Sequence, residues 1–518
     1  MQRDGNLVSL WQDSMPQYSS KTTHLPNEEF DVAIAGGGIT GITTALQLQK
    51  AGKKCIVLEA HNICFGTTGG TTAHINTFFD TPYQKIIKNF SLADALLVAR
   101  AAKKAIALIK ENISTYNINC SFKELPGYLF SIKEEQSKEL QEIIEASKKL
   151  GVKADFINST VLPIPYLKIA LFAGQSQFHP LQYVYALANA FEKENGVIMQ
   201  NCRVLKTEEN EMITVHTSQG NIVCRKFIYA THIPPGVNLL HFRCAPYRSY
   251  VMAVQLNKKS DYPDAVVYDM NDPYHYYRTQ EVKGIPYLIV GGEDHKTGHE
   301  ENTEGCFRRL ESHIRSFFDV KEVSYKWSSQ YFEPADGLPY IGNLPAHAGN
   351  MYVATGFGGN GIIYGTFSAI LLSELIVHGV NDYAELFDPN RIKPIAGFAN
   401  FIKESADVVG KFIGGLFPKE DIETLSSLAH NEGRVVEYEG KKMGLYKDEN
   451  GKLYAVSTAC THIDCKVQWN AAEKSWDCPC HGSRFSITGE VLTAPARKNL
   501  EVFDLAEEEY SSSKEYSK

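Results

Sequence analysis

The sequence predicts an α/β domain that carries an inserted α+β domain and is followed by a small all-β domain. Three observations predict this class. They are a glycine-rich turn between an apolar strand and a helix near residue 36, short runs of Tyr, Val and Ile over residues 245–293, and short strands with turn residues after residue 430. The length of 518 residues allows about three domains, each with its own core.

The composition is that of an ordinary soluble protein. Hydrophobic residues make up 43% of the chain and the formal net charge is −8, with no basic stripe, so we expect no nucleic-acid partner. The first thirty residues are polar, and no run approaches the ~18 apolar residues needed to span a bilayer. We therefore expect a cytoplasmic protein without a transmembrane segment, in which the cysteines outside the C-terminal boxes described below are reduced thiols.

The turn near residue 36 has the pattern of a dinucleotide-binding strand–turn–helix. Residues 31–35 form an apolar strand, a G-x-G-x-x-G turn begins at Gly36, residues 42–50 have helical character, and a second strand ends at Glu59. The glycines allow a tight turn, close approach of a pyrophosphate and close packing of helix on strand. Free N–H groups at the helix start favour phosphates, and Glu59 is placed to accept ribose hydroxyls. These features favour a nucleotide site over an ordinary turn, but they do not distinguish NAD from FAD.

Further motifs follow along the chain. They are a Gly/Thr-rich loop at residues 66–74, a segment at 178–183 that leads into a helix, strand residues 203–204 and 227–232, and loops at 337–342 and 354–361. In this order they resemble the flavoprotein family of D-amino-acid oxidase, glycine oxidase and sarcosine oxidase. The resemblance covers about residues 28–390 and implies FAD as the cofactor. It also implies an FAD-binding domain of the Rossmann-like, glutathione-reductase type with an inserted α+β substrate domain.

The same resemblance implies which residues contact FAD. They are Gly36, Gly38, Ile39, Thr40, Gly41, Glu59, Ala60, Thr67, Thr68, Thr71, Thr72, Val204, Ala230, Thr231, Gly337, Gly356, Gly358, Gly359, Asn360, Gly361 and Ile362. Asn360 stands where the family commonly has an aromatic residue, so a different substrate preference is expected. The family's covalent attachment positions, Gly70 and residues 328–330, carry neither Cys nor His, which implies that FAD is bound without a covalent link.

The middle of the chain is expected to supply the substrate domain. Residues 245–293 suit an antiparallel sheet, and residues 92–113 and 134–150 have the pattern of helices. The candidate catalytic residues are Arg248, Tyr250, His275, Tyr277 and Arg278. In the resembled family, Arg and Tyr of this sheet hold a substrate carboxylate, and a bidentate Arg suits that geometry. The alternative, an exposed aromatic strand, stays open. His295 and His299 are expected in a structural loop rather than a metal site.

Near the C-terminus the chain carries two Cys/His boxes. One is C-x-H from Cys460 to His462, and the other, fifteen residues later, is C-x-x-H from Cys478 to His481. This arrangement fits a Rieske [2Fe–2S] centre, in which two imidazoles replace two thiolates on one iron. We expect the two cysteines to bind one iron and the two histidines the other. The alternative is a Cys₂His₂ zinc site, which the sequence C-P-C-H-G-S in the second box disfavours.

Resemblance to disulfide-containing Rieske proteins implies a bond between Cys465 and Cys480 that ties the two ligand loops together. It also places the Ser483 hydroxyl beside a cluster sulfide. Phe485 and Asp464 stand where the relatives have Tyr and Gly. Because a hydrogen bond is lost and a negative charge is added, we expect a potential at the low end of the Rieske range of roughly −150 to +300 mV.

These observations divide the chain into domains. The FAD-binding domain is expected over residues 28–85, 151–240 and 325–390, the substrate domain over 86–150 and 241–324, a linker helix over 391–420, and the Rieske domain over 421–510. Apolar residues recur at helical spacing over 395–417. A membrane-surface helix is the alternative for that segment, and the small number of basic residues favours a packed linker.

The whole chain is similar to Rieske-fused members of the oxidase family. The resemblance implies an FAD-dependent oxidoreductase that oxidises an amine or amino acid and relays electrons from FADH₂ through the cluster to an external one-electron acceptor. The alternative is an electron-transfer or redox-sensing module without a small substrate of its own. A ring-hydroxylating oxygenase would need a mononuclear iron with two His and one carboxylate, and the sequence offers no suitable paired-His segment outside residues 295–299.

Overall fold

The computed structural model describes residues 3–160, 162–391, 428–438 and 441–504. The predicted linker helix at 391–420, and with it the alternative of a membrane-surface helix, therefore lies outside the described residues except for Arg391. The described chain forms two large sheets and a C-terminal domain with two small sheets.

The first sheet forms around the predicted nucleotide-binding unit. Its strands lie in the order Tyr340–Asn343, Met351–Thr355, Gly220–Tyr229, Glu29–Ala35, Cys55–Leu58 and Val197–Met199, and Val204–Glu209 and Ile213–Thr217 extend it. The four strands around Glu29–Ala35 pair in parallel, and the edge strand Tyr340–Asn343 is antiparallel. Parallel strands are buried on both faces, and Glu29–Ala35 and Cys55–Leu58 are almost entirely buried.

Helices pack on this sheet. Helix Ile39–Lys50 contacts helices Pro180–Lys193 and Gly361–His378, and the latter contacts Leu92–Thr115. Gly361–His378 corrects one expectation, because it is long and apolar enough to span a bilayer by length and composition. It is the one such helix among the described residues, and 61% of it is buried inside the fold. An apolar helix with this burial is a core element.

The second sheet is mixed and mostly antiparallel, as predicted for residues 245–293. Its strands lie in the order Val320–Pro334, Cys244–Leu256, Ile285–Lys296, Tyr276–Val282, Val266–Asp269, Lys123–Ser131, Lys168–Gln177 and His74–Ile75, and Ala154–Ile157 pairs with Lys168–Gln177. Strands at 154–157 and 168–177 thus join this sheet, although the predicted limits gave residues 151–240 to the FAD-binding domain. The cause is long-range pairing with Lys123–Ser131, which no local pattern encodes.

The other helices belong to the two large domains. The helices predicted at 92–113 and 134–150 are present as Leu92–Thr115 and Glu134–Lys149. The remaining helices are Leu10–Ser14, Thr67–Gly70, Tyr83–Asn89, Thr303–Phe317 and Ala384–Phe387, with 3₁₀ turns at Leu239–Phe242 and Lys259–Asp261.

The C-terminal domain contains two four-stranded antiparallel sheets. One has the order Glu432–Tyr438, Lys441–Lys447, Leu453–Ser457 and Val502–Phe503, and the other Gln468–Asn470, Ser475–Asp477, Arg484–Phe485 and Val491–Thr493. The first three strands agree with the short strands predicted after residue 430. A hairpin turn between Lys441–Lys447 and Leu453–Ser457 is closed by the bond from Asp448 N–H to the Lys452 carbonyl.

A closed ring of six buried charges joins the N-terminal segment, the second sheet and the C-terminal domain. In order around the ring, they are Arg3, Asp4, Arg484, Asp477, Arg248 and Glu473. The Ser328 hydroxyl links the last two, since it accepts from Arg248 at 2.5 Å and donates to Glu473 at 2.7 Å. Three positive and three negative groups alternate, so each buried charge has opposite neighbours. Such pairing is what makes buried charges tolerable.

Candidate functional site: a flavin cavity walled by the iron–sulfur domain

A cavity of about 290 Å³, partly open to solvent, lies between the two large sheets and the C-terminal domain. Its walls come from the glycine turn, the Gly/Thr-rich loop, the second sheet, the loop before helix Gly361–His378, and residues 492–497 of the C-terminal domain. The lining thus brings together the nucleotide-binding turn, the second sheet and the C-terminal domain.

The glycine turn forms one end of the cavity, and two of its glycines are required by close backbone contacts. Gly36 has φ +111°, and a Cβ there would lie 2.4 Å from the Ala230 carbonyl oxygen. A Cβ on Gly41 would lie 1.9 Å from the Gly36 carbonyl oxygen. Larger residues would push the strand, the turn and helix Ile39–Lys50 apart, so the turn keeps the helix start close to the cavity.

Glu59 closes the same end. Its carboxylate accepts from the backbone N–H groups of Gly37 at 2.7 Å and His61 at 2.9 Å. Burial raises the pKa of Glu59, against those two hydrogen bonds and the nearby Arg203. A carboxylate held at the end of the second strand suits ribose hydroxyls.

Two helices begin at the cavity wall. Ile39 and Gly361 line the cavity and are the first residues of helices Ile39–Lys50 and Gly361–His378. Helix starts offer free N–H groups and a partial positive charge. With the glycine turn and Glu59, they provide the donor and acceptor set that a dinucleotide such as FAD requires.

Most residues expected to contact FAD line this one cavity, although they come from distant parts of the chain. Those that line it are Gly36, Gly38, Ile39, Thr40, Glu59, Ala60, Thr67, Thr68, Thr71, Thr72, Val204, Ala230, Thr231, Gly358, Gly359, Asn360, Gly361 and Ile362. Gly41, Gly337 and Gly356 do not line the cavity. Gly41 packs under the turn, and Gly337 and Gly356 have positive φ at close contacts with Thr81 and Cys244, so these three shape the backbone around the cavity.

The five candidate catalytic side chains do not line the cavity. Arg248 belongs to the charge ring described above. Tyr250 bonds His295 at 3.0 Å, and the other ring nitrogen of His295 lies 2.8 Å from the Lys296 carbonyl. The prediction of a loop was wrong for His295, which lies on strand Ile285–Lys296. Tyr277 bonds His313. The contacts of these side chains lie outside the cavity, although Nε and one Nη of Arg248 have no hydrogen-bond partner among the described residues.

His275 and Arg278 are also held behind the cavity wall. His275 bonds Asp269 at 2.9 Å and its ring stacks on that of His313 at 3.7 Å. Burial alone would lower its pKa, but Asp269 and Glu293 outweigh burial and raise the pKa to about 9. Arg278 is fully buried and donates to the carbonyls of residues 72, 73 and 178. It stabilises the loop beneath the cavity instead of pointing into it.

The sheet presents a different set of residues to the cavity, which sequence reasoning missed. Tyr268, Tyr274, Tyr276, Tyr331 and Asp294 line it, and we call these five the tyrosine–aspartate pocket. The miss has a simple cause. Successive residues of a strand point to opposite faces, so Tyr276 faces the cavity while Tyr277 faces away. The sequence showed that aromatic residues alternate along the strand, but it did not show which face of the strand lines the cavity.

Asp294 is the charged member of this pocket. Its carboxylate accepts from the hydroxyls of Ser249 at 2.5 Å and Tyr331 at 2.8 Å. Burial raises the pKa of Asp294 to about 7, in spite of these two hydrogen bonds. Asp80 also lines the cavity, where it accepts from the Gly359 N–H at 2.6 Å, and burial raises its pKa to about 6. Both carboxylates face the open cavity, so Asp294 is half-buried and Asp80 is exposed to solvent.

The Cys/His boxes meet as expected at the tip of the C-terminal domain. Cys460 and Cys478 are buried free thiols in mutual contact, and the rings of His462 and His481 lie 5.0 Å apart. Both ring nitrogens of His462 and Nδ1 of His481 are buried without a hydrogen-bond partner among the described residues. Buried polar atoms normally have partners. Two thiols and two histidines with unpartnered nitrogens fit the ligand set of a Rieske cluster.

The residues around the boxes support the same assignment. Cys465 and Cys480 form the expected disulfide. Asp464, which replaces a usual Gly, has φ +59°, the left-handed conformation that favours glycine. Ser483 Oγ accepts from the Ala496 N–H at 3.0 Å, which leaves its O–H free to donate toward the cluster. Phe485 is fully buried and brings no hydroxyl.

Gln330 connects the cavity wall with the second box. Gln330 lines the cavity, and its Nε2 donates to the Gly482 carbonyl at 2.9 Å. Gly482 follows His481 directly. A Cβ on Gly482 would lie 2.8 Å from Gln330 Nε2 and 2.7 Å from Pro246 Cβ, so the glycine permits this approach. Thr297 donates to Gln330 Oε1 at 3.1 Å and orients the amide.

The two histidine rings also contact the 3₁₀ turn Leu239–Phe242. The ring of His241 lies 4.7 Å from that of His462 and 5.9 Å from that of His481, and Phe242 lies 5.4 Å from the ring of His481. His241 Nε2 is 2.8 Å from the Pro234 carbonyl, next to Ile233 and Pro235 of the cavity wall. The histidine side of the boxes is therefore covered by the flavin side of the molecule.

Comparisons with known proteins agree with both the nucleotide-binding part and the C-terminal domain. A family model described as FAD dependent oxidoreductase matches residues 31–375, and one described as Rieske [2Fe-2S] domain matches residues 421–504. The chain is 34% identical over 498 residues to the putative Rieske 2Fe-2S iron-sulfur protein YhfW of Bacillus subtilis (strain 168), covering 94% of this chain and 97% of that protein. It is 24% identical over 363 residues to gamma-glutamylputrescine oxidoreductase of Escherichia coli (strain K12), covering 67% and 83%.

Solved structures show the same fold for the N-terminal part. Glycine oxidase from Geobacillus kaustophilus superposes with a TM-score of 0.60 at 17% identity, covering 71% of this chain and 100% of that one. L-amino acid deaminase from Proteus myxofaciens gives a TM-score of 0.57 at 16% identity, covering 76% and 100%. The chain is an oxidoreductase of the FAD dependent oxidoreductase family, with FAD and a Rieske [2Fe–2S] cluster as its cofactors.

Proposed function

We propose that this protein oxidises an amine or amino acid at the flavin and passes the electrons through its own Rieske cluster to an external one-electron acceptor. The observation that carries the proposal is the shared wall: Gln330 lines the flavin cavity and bonds the residue next to His481. A cluster held this close to the cavity is a local electron acceptor at high effective concentration.

The chemistry divides between cofactors and chain. When bound, FAD accepts a hydride and the cluster transfers single electrons. The amine loses the hydride from its α-carbon and a proton from nitrogen, and becomes an imine. The two electrons then reach two equivalents of the external acceptor. The chain's part is to hold the α-carbon at the cofactor, to bind the amine nitrogen and to keep the cluster against the cavity wall.

We propose Cys460, His462, Cys478 and His481 as the cluster ligands, and the residues of the cavity wall as the FAD contacts. The buried, unpartnered ring nitrogens support the first assignment, and the glycine turn with its two helix starts supports the second. The seven cysteines that precede the first box are buried free thiols, which supports a reducing, cytoplasmic location.

An anaerobic screen tests the function. Amines and amino acids are added to the holoprotein without oxygen, and flavin bleaching is followed together with the EPR signal of the reduced cluster after rapid freezing. We expect a substrate to bleach the flavin and then reduce the cluster. Absence of bleaching by every compound would favour the redox-sensing alternative.

Cys478→Ser tests the relay. We expect the variant to keep flavin reduction and to lose turnover with an artificial one-electron acceptor. The relay proposal fails if the variant turns over normally, or if the wild type makes peroxide from oxygen at its full turnover rate.

A further inference from the structure

The substrate end of the cavity is acidic and aromatic. Four tyrosines surround Asp294, and the rings of Tyr274 and Tyr276 lie 5.6 Å apart. Tyr276 bonds the Ser249 hydroxyl at 2.9 Å, and Ser249 in turn donates to Asp294. The pocket thus groups tyrosine rings and acceptors around the Asp294 carboxylate, with Asp80 as a second carboxylate in the same cavity.

This group has free capacity for an ammonium ion. A carboxylate offers about four acceptor positions, and Asp294 accepts two hydrogen bonds, from Ser249 and Tyr331. The remaining positions suit the three N–H donors of a primary ammonium. The faces of tyrosine rings also attract cations, by about 0.5–2 kcal/mol per contact.

The same end offers no cation for a substrate carboxylate. Among the described residues, the Arg and Lys side chains that line the cavity are Arg203 and Arg497. Arg203 belongs to the glycine-turn end, where it contacts His61 at 2.9 Å, and Arg497 donates to the Pro235 carbonyl at 2.8 Å. Arg248 and Arg278 were the candidate arginines of the second sheet. Both donate to other groups of the protein.

We propose that the substrate is a primary amine cation without an α-carboxylate, bound with its ammonium group in the tyrosine–aspartate pocket. This inference rests on the proposed function and narrows its substrate class. An α-carboxylate beside Asp294 and Asp80 would meet like charge with no described Arg or Lys of the second sheet facing it, whereas an ammonium neutralises negative charge. Like charges brought together in this way cost several kcal/mol.

The test uses matched pairs of compounds on the FAD-loaded, cluster-loaded protein. Each linear primary amine from ethylamine to hexylamine is paired with the α-amino acid that carries the same chain, such as butylamine with norvaline. Binding is measured by perturbation of the flavin spectrum, and the second-order rate constant of flavin reduction is measured without oxygen. We expect the best amine to exceed its paired amino acid by about 100-fold in both quantities, equivalent to about 2.7 kcal/mol.

Asp294→Asn removes the charge and keeps the volume. We expect amine binding to weaken by about tenfold or more, with little change for the amino acid. Tyr274→Leu is a second variant that tests the aromatic contribution. The matched control is Asp264→Asn, since Asp264 is an exposed carboxylate of the same domain that pairs with Lys123. It should leave all constants unchanged.

The outcomes separate this inference from the function on which it rests. Amino acids that bind and reduce the flavin as well as their paired amines would overturn the inference while the oxidoreductase function stands. Amines that bind, with Asp294→Asn weakening them, but never reduce the flavin would overturn the proposed oxidation and leave the pocket assignment standing. Equal amine binding by wild type, Asp294→Asn and Tyr274→Leu would overturn the pocket assignment.

Discussion

At Asp294, burial competes with two hydrogen bonds, and the result is a pKa of about 7. The carboxyl is therefore mostly protonated at pH 6 and mostly ionised at pH 8. Its titrating and polar surroundings are Ser249, Tyr276, Tyr331, Asp80, His275 and Glu333. The position of this pKa makes cation binding depend on pH in the physiological range.

The first prediction concerns that dependence. Between pH 6 and pH 8 the ionised fraction of Asp294 rises from about 10% to about 90%, while a primary amine with a pKa of about 10.4 stays a cation. We expect KM for an amine to fall by about tenfold over this interval, measured by initial rates with an artificial acceptor. Asp294→Asn should flatten the profile. A wild-type profile that is already flat would contradict the role of this carboxyl.

His481 carries the second prediction. The Rieske assignment requires one iron with two imidazole ligands, so reduced wild-type protein should show the EPR signal with low average g of a mixed His/Cys cluster. His481→Cys should change that signal, whereas His241→Gln, at the neighbouring ring, should keep it. Stoichiometric zinc without iron in anaerobically purified, cluster-loaded protein would instead support the Cys₂His₂ zinc site.

At the scale of elements, strand Val320–Pro334 links the two redox centres. It pairs with Cys244–Leu256 in the second sheet, it lines the cavity with Gln330, Tyr331 and Phe332, and it meets the second box at Gly482. Strand alternation turns Tyr331 toward Asp294 and the Gln330 side chain toward the Rieske domain. One strand thereby serves the substrate pocket on one face and the cluster on the other.

The third prediction tests that link. Gln330→Met keeps the length of the side chain and removes the N–H donor to Gly482. We expect electron transfer from photoreduced flavin to the cluster, followed by absorbance, to slow by about tenfold, equivalent to about 1.4 kcal/mol in the barrier. No substrate is needed, so the result does not depend on substrate identity.

A matched control exists for this variant. The Thr303 hydroxyl also contacts the C-terminal domain, where it accepts a hydrogen bond from the Ala472 N–H at 3.1 Å. Thr303 does not line the cavity. Thr303→Val should leave the transfer rate unchanged. If Gln330→Met transfers electrons at the wild-type rate, the bond to Gly482 is structural only.

At the scale of the molecule, the charge ring holds the Rieske domain in one position against the flavin domain. Burial alone would raise the pKa of Asp477, but Arg484 and Arg248 outweigh it and lower that pKa. Burial alone would also raise the pKa of Glu473, but Arg3 and Arg248 outweigh it and lower that pKa. The ring therefore stays charged, and removing one member leaves its neighbours buried without compensation.

The fourth prediction follows from that imbalance. Glu473→Gln removes one negative charge and leaves Arg3 and Arg248 undercompensated. We expect the free energy of unfolding of the Rieske domain to fall by about 3–5 kcal/mol, measured as loss of the cluster's visible absorbance in denaturant. Asp155→Asn breaks an exposed pair with Lys148 and should cost about 0–1 kcal/mol. Equal effects of the two variants would show that the ring does not hold the domain.

The sequence by itself indicated a dinucleotide site and a Rieske centre. The G-x-G-x-x-G turn and the C-x-H and C-x-x-H boxes place ligands within a few residues of one another. Local geometry then follows from spacing alone. The Cys465–Cys480 disulfide and most of the implied FAD contacts came from the family resemblance, and the structure contains both the bond and the shared cavity.

Only the tertiary structure decided which side chains of the second sheet line the cavity and how the two redox domains meet. Arg248, Tyr250 and Tyr277 were candidates because strand composition was visible, but the face of each strand depends on the register of long-range pairing. Likewise, nothing near Arg3 in the chain indicates that it pairs with Glu473, 470 residues away. Local motifs determine what is bound, whereas strand register and distant buried charges determine where each group faces.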